Sequence, residues 1–150
     1  MQKLVITTLT SVLALGVWAP TATASPAERP GPVRIAAVSY DGAGSDTGSN
    51  PSLNREWVAI KNRGSHARQL RGWTLRDTAG HVFRFPRIKL RAGRTVKVHT
   101  GSGRDTARNL YWGSGAYIWN NDGDRATLRN SNGRRIDRCS WGDGDGTTRC

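Results

Sequence analysis

Acidic residues are scarce in this chain of 150: eleven Asp and Glu stand against 23 Lys and Arg, for a formal charge of +12. Only Glu28 and Glu56 are glutamates and only His66, His81 and His99 are histidines, so groups for general acid and base work are few. Two cysteines are present with no Cys-x-x-Cys, and the histidines show no ligand spacing, so neither a zinc nor a redox motif is formed. A Gly-x-Ser-x-Gly elbow, a phosphate loop and a His-Glu-x-x-His pair are also missing. Apolar residues nowhere keep a three-to-four spacing long enough for a good helix. One long apolar run occurs, Leu4 to Trp18, and no later segment is fit to span a bilayer. Together these absences predict a non-enzymatic chain without a cofactor.

Lys3 precedes the apolar run, Thr7, Thr8, Thr10 and Ser11 interrupt it, and Ala22-Thr23-Ala24 closes it. That order reads as a secretory signal peptide over 1–24. No Cys follows the cleavage site, so the mature chain is expected to be secreted, extracellular, free of the membrane and monomeric. Cleavage removes Lys3 alone among the charges and leaves +11, with 19 arginines. The guanidinium is a fixed, always-charged fork suited to phosphate or carboxylate. Two readings stand side by side: an Arg-rich composition set by coding bias and useful for solubility, or a surface for nucleic acid or an anionic cell-wall polymer. Cys139 and Cys150, eleven positions apart, are expected to form one bridge in an oxidising compartment, worth about 2 to 3 kcal/mol.

Residues 25–32, Ser-Pro-Ala-Glu-Arg-Pro-Gly-Pro, read as a stiff leader, and 33–150 as one domain. Short β-branched and aromatic runs then recur between Gly, Asn and Asp. Strands are predicted near Val33 to Tyr40, Arg55 to Asn62, Gln69 to Arg76, His81 to Phe85, Arg94 to Thr100, Tyr117 to Trp119, Arg125 to Arg129 and Arg135 to Trp141. Period two sends Val58 and Ile60 to one face with Trp57 and Ala59 on the other, and it turns Val96 and Val98 inward. Asp77-Thr78-Ala79-Gly80 and Asn130-Ser131-Asn132-Gly133 carry the residues that hairpin turns require. The chain is therefore all-β, and a two-layer antiparallel sandwich is the economical architecture.

The run Asn54-Arg55-Glu56-Trp57-Val58-Ala59-Ile60-Lys61-Asn62 is followed by Leu70-Arg71-Gly72-Trp73-Thr74-Leu75-Arg76-Asp77, then by Phe83-Arg84-Phe85-Pro86 and Ala92-Gly93 before Val96 and Val98. Thr100-Gly101-Ser102-Gly103 and Trp119-Asn120-Asn121-Asp122-Gly123-Asp124-Arg125-Ala126-Thr127-Leu128 come next. This ordered set, over about Val33 to Trp141, resembles the lamin tail domain. The resemblance implies an immunoglobulin-like β-sandwich in a bacterial, exported version of the module. With no heptad rod in this chain, filament assembly does not carry over.

Trp57, Val58, Ile60, Leu70, Gly72, Trp73, Leu75, Phe83, Phe85, Val96, Val98, Trp119 and Leu128 read as motif and core positions. Asp122 with Asp124, and Asp143 with Asp145, alternate carboxylates as a calcium loop does, yet neither loop supplies a full oxygen set, and tight turns explain them as well. Glu56 is expected to pair with an arginine. Tyr111 and Trp112, in the aromatic segment up to Trp119, either stack on a sugar or plug one end of the sandwich. The function these residues predict is a secreted binding or adhesion domain for polyanions. A carbohydrate-binding module comes second and a small secreted hydrolase third.

Overall fold

The computed structural model describes residues 31–150. The expected signal peptide and residues 25–30 of the expected leader lie outside the described residues. In chain order the elements are β1 (Val33–Ser39), α1 (Asn50–Leu53), β2 (Trp57–Asn62), β3 (Arg68–Gln69), β4 (Thr74–Arg76), β5 (Val82–Arg84), β6 (Lys89–Leu90), β7 (Thr95–His99), β8 (Asn109–Tyr111), β9 (Gly123–Arg129), β10 (Arg135–Gly142) and β11 (Thr147–Arg149). They form two facing sheets, ordered β11-β1-β2-β7-β8 and β10-β9-β4-β5, and a small β3-β6 ribbon. All pairings are antiparallel except β7 with β8.

Alternation builds the core. Val33, Ile35 and Val38 on β1, Val58 and Ile60 on β2, and Val96 and Val98 on β7 are buried, as are Leu75, Phe83, Ala126, Leu128 and Cys139 of the facing sheet. Leu70, Phe85 and Leu90 close one end, and Tyr40, Ile118 and Trp119 close the other. Cys139 on the edge strand β10 is bonded to Cys150, just past the opposite sheet's edge strand β11, so the bridge fastens one sheet to the other at the C-terminus. On the same side the Ile35 N–H donates to Asp137 Oδ2 at 2.9 Å, a second tie between the layers.

Both predicted hairpins form. Gly80 (φ 101°) and Gly133 (φ 76°) take the positive φ, and Asp77 Oδ1 accepts from the Gly80 and His81 N–H groups. The structure corrects the strand map in three places. Gln69 to Arg76 is not one strand: at Gly72 (φ 76°) the chain turns, the Trp73 N–H donates to Leu70 O, and the ribbon strand β3 separates from β4. Tyr117 to Trp119 is not a strand, because Ile118 and Trp119 are buried through their side chains with no ladder partner; Asn109–Tyr111 pairs with β7 instead. Beyond the glycines at 142, 144 and 146, Thr147–Arg149 adds an unexpected edge strand, placed by the Tyr40 and Asp41 N–H groups on Gly146 O.

Two of the expected core residues also move. Trp57 lies on the outer face, half-buried, with Lys97 Nζ 3.7 Å from its ring centroid, because period two opposes it to Val58. Trp73 is half-buried against the core instead of within it, since the turn at Gly72 places it at the sheet's margin.

Candidate functional site

The strand registers define two ends of the sandwich. Val33 faces Asn62 and Lys61 faces Thr95, so the start of β1, the end of β2 and the start of β7 lie together. In the other sheet, Arg84, Thr74, Arg129 and Arg135 share one row across four strands. The Ile35–Asp137 bond brings these two groups to the same end, while the stacked rings of Tyr40 and Trp141 mark the opposite end.

Charge is sorted between those ends. The Val33 end carries Arg34 and Lys61 on β1 and β2, Arg84, Arg129 and Arg135 on the facing sheet, and Arg63, Arg68, Arg71, Arg87, Lys89, Arg91, Arg94 and Arg108 on the ribbon and nearby loops. Among the described residues Asp137 is the acid at this end, and its carboxylate lies 3.8 Å from Arg34. Asp77 lies beside Arg76 and Arg129 on the outer face of the four-stranded sheet, and the remaining described acids, Asp41, Asp46, Glu56, Asp105, Asp122, Asp124, Asp143 and Asp145, occupy the other half, where Arg55, Arg104, Arg125 and Arg149 also lie. Clustered charge of one sign raises the local concentration of counter-charged ligands.

Among the described residues, one recess lies within this basic surface and another at its margin. The larger, about 660 Å³, runs between the β6–β7 turn and the residues before β8, and is lined by Lys89, Leu90, Arg91, Gly93, Arg94, Thr95, Ala107 and Arg108. A smaller one, about 350 Å³, sits on the outer face of the four-stranded sheet and includes an acid: Arg76, Asp77, Thr127, Arg129 and Gly133 line it.

Residues 26–143 match the family model described as the Lamin Tail Domain. This chain belongs to the lamin tail domain family. Among curated proteins, none matches the chain. Membership of the family accounts for the immunoglobulin-like β-sandwich and supports a non-enzymatic domain in general.

In this lamin tail domain the aromatic segment is largely turned inward. Phe85, Phe83, Trp112, Trp119, Trp141 and Tyr40 form a chain of ring contacts with centroids 5.1 to 5.8 Å apart, mostly edge to face. Trp112 is half-buried, its ring tilted against Phe83 and set edge-on to Trp119, so it offers no flat exposed platform. Tyr111 stacks on His99 on the outer face, 5.2 Å between centroids.

The paired aspartates divide. Asp124 is buried and its Oδ1 accepts from the Thr78 N–H and hydroxyl and the Arg125 N–H, so its lone pairs serve a turn. Asp122, Asp143 and Asp145 are exposed, and among the described residues no three His, Cys, Asp or Glu side chains converge on a metal position. The histidines are apart: His81 pairs with Asp77, His99 lies between Asn54 O and Asn109 Oδ1, and His66 is exposed.

Glu56 is the correction that matters most. It has no arginine partner: it is 2% exposed, its Oε2 accepts from the Ile118 N–H at 3.1 Å, and Oε1 and the nearby Thr100 Oγ1 make no well-formed hydrogen bond. Period two puts Glu56 on the same face as Val58 and Ile60, so the sequence already held the signal of its burial. Burial raises its pKa from 4.5 to about 7; the Ile118 and Trp119 backbone and the Thr100 hydroxyl pull the other way, and Asp46 adds a smaller upward push. Between those values the folded protein keeps a proton that the unfolded chain releases, so stability is full below about pH 4.5 and falls as pH rises to 7. The loss is about 3 kcal/mol at 1.4 kcal/mol per unit. Urea midpoints at pH 5 and 8 should show most of that drop, about 2.5 kcal/mol, in the wild type and not in Glu56→Gln. A variant with the same drop would assign the titration to another group.

Proposed function

We propose that this lamin tail domain is an exported, non-enzymatic adhesion domain whose basic end contacts extracellular polyanions, DNA or an acidic cell-wall polymer. The observation that carries the reading is the uneven distribution of charge: thirteen described cations gather at the Val33 end, where Asp137 and, at its margin, Asp77 are the acids, and the other eight described acids lie in the opposite half. Scattered charge makes no footprint, whereas arginines gathered on one end meet many anionic groups at once. Export is supported by the Lys3, Leu4 to Trp18 and Ala22-Thr23-Ala24 pattern, and by a disulfide that persists in oxidising compartments. The mature domain then acts as a free monomer, away from the membrane.

Sugar stacking is the competing reading, and the engaged ring of Trp112 counts against it. The test is retention on immobilised DNA and on a neutral polysaccharide at low salt, with and without Trp112→Ala. Retention on DNA alone, unchanged in that variant once it is shown to be folded, is the expected result. Polysaccharide retention lost with Trp112, beside no retention on DNA, would overturn the proposal.

A further inference from the structure

We infer that the groove between the β6–β7 turn and Ala107–Arg108 is a preorganised site for a linear phosphate polymer, gripped through its phosphates with no help from stacked bases. The inference rests on the polyanion reading above and narrows it to one site and one ligand chemistry.

Four cationic side chains, Lys89, Arg91, Arg94 and Arg108, line the groove, and the rest of its lining is Leu90, Gly93, Thr95 and Ala107. There is no acid to repel an anion and no aromatic ring on which a base or sugar could stack, which sets it apart from single-strand binding platforms. The cations come from two walls, the β6–β7 turn and Arg108. A chain that carries its charge in its own backbone can face both walls at once. A polymer whose carboxylates hang on flexible side chains must order those side chains to do the same, at a cost in conformational entropy. Arginine forks also bind phosphate bidentately.

The backbone beneath these side chains is fixed. Arg91 and Arg94 are the first and last residues of a turn closed by the Arg94 N–H on Arg91 O at 3.1 Å, with Gly93 at φ 69°. Asn62, fully buried at the end of β2, holds the turn from below: its N–H donates to Arg94 O at 2.9 Å and its carbonyl accepts from the Gly93 N–H at 2.8 Å. Its Nδ2 donates to Leu90 O and to His66 O, and its Oδ1 accepts from the Gly64 N–H. On the other wall, the Lys97 N–H holds Arg108 O at 2.8 Å. With the backbone ordered before binding, less free energy is lost on association.

The test displaces a fluorescent single-stranded oligonucleotide from the protein with inorganic polyphosphate or with polyglutamate matched in charge, and repeats the binding with an abasic oligonucleotide. Polyphosphate is expected to compete about tenfold better than polyglutamate, and the abasic strand to bind within about twofold of the intact one. The exposed pair Arg94→Glu/Arg108→Glu should weaken binding about tenfold or more, while Arg125→Glu/Arg138→Glu, with the same change in net charge on the outer sheet face, should cost less than about threefold. Equal losses in the two double variants, a preference for polyglutamate, or a large loss on removing the bases would overturn the groove and leave the broader polyanion reading standing. Binding to no polyanion at all would remove both.

Discussion

Raising the salt from 50 to 200 mM should loosen the protein's hold on DNA about a thousandfold if about six phosphates are engaged. The free energy of such binding comes mainly from counterions released as arginines neutralise phosphates, so the logarithm of affinity falls with the logarithm of salt in proportion to the number of contacts. The basic end holds enough exposed cations for this number, among them Arg63, Arg68, Lys89, Arg91, Arg94 and Arg108. Base sequence should matter little, because a phosphate contact carries no sequence information. Affinity measured across that salt range on two oligonucleotides of different sequence checks both claims. A flat salt response, or a strong sequence preference, would show that the contacts are made to something other than phosphates. A neutral polysaccharide releases no counterions, so any retention on it should be indifferent to salt.

Trp119→Ala should destabilise the domain by about 3 to 5 kcal/mol, a large share of the 5 to 15 kcal/mol that keeps a domain of this size folded. Trp119 is 2% exposed and sits between the rings of Trp112 and Trp141 at the acidic end. Its removal leaves a cavity between the sheets that backbone hydrogen bonds prevent from closing. Trp73→Ala serves as the comparison. Its indole is only half-buried at the turn after Gly72, so fewer contacts disappear and the cost should be clearly smaller. Urea unfolding of both variants at fixed pH decides the order. Equal midpoints, or a larger loss at Trp73, would mean that the ring chain is not the main seal of that end.

Much of the fold was legible in the residues because period-two alternation is a local property. Val58 with Ile60 and Val96 with Val98 declare their face without reference to any other strand. Turn chemistry is local as well, which is why Gly80 and Gly133 mark true hairpins. The misread elements are those whose state depends on distant partners. Tyr117 to Trp119 has strand-like composition, but Ile118 and Trp119 are consumed by the inter-sheet core, while Asn109–Tyr111, with little to advertise it, gains a parallel partner in β7. Glu56 stands between the two cases: its alternation points inward, whereas the ion pair expected of a charged residue depends on a distant partner that the fold does not bring to it.

The sequence by itself determined the all-β class, the family, the scarcity of acids and the pairing of two cysteines, because composition, local periodicity and an ordered motif set need no coordinates. Only the tertiary structure decided where the charges lie. Arg63, Lys89, Arg94 and Arg108 come from separate segments, and it is strand register and the Asn62 hydrogen bonds that bring them to one end while most of the aspartates go to the other. Long-range pairing sets that arrangement, and no window of neighbouring residues contains it.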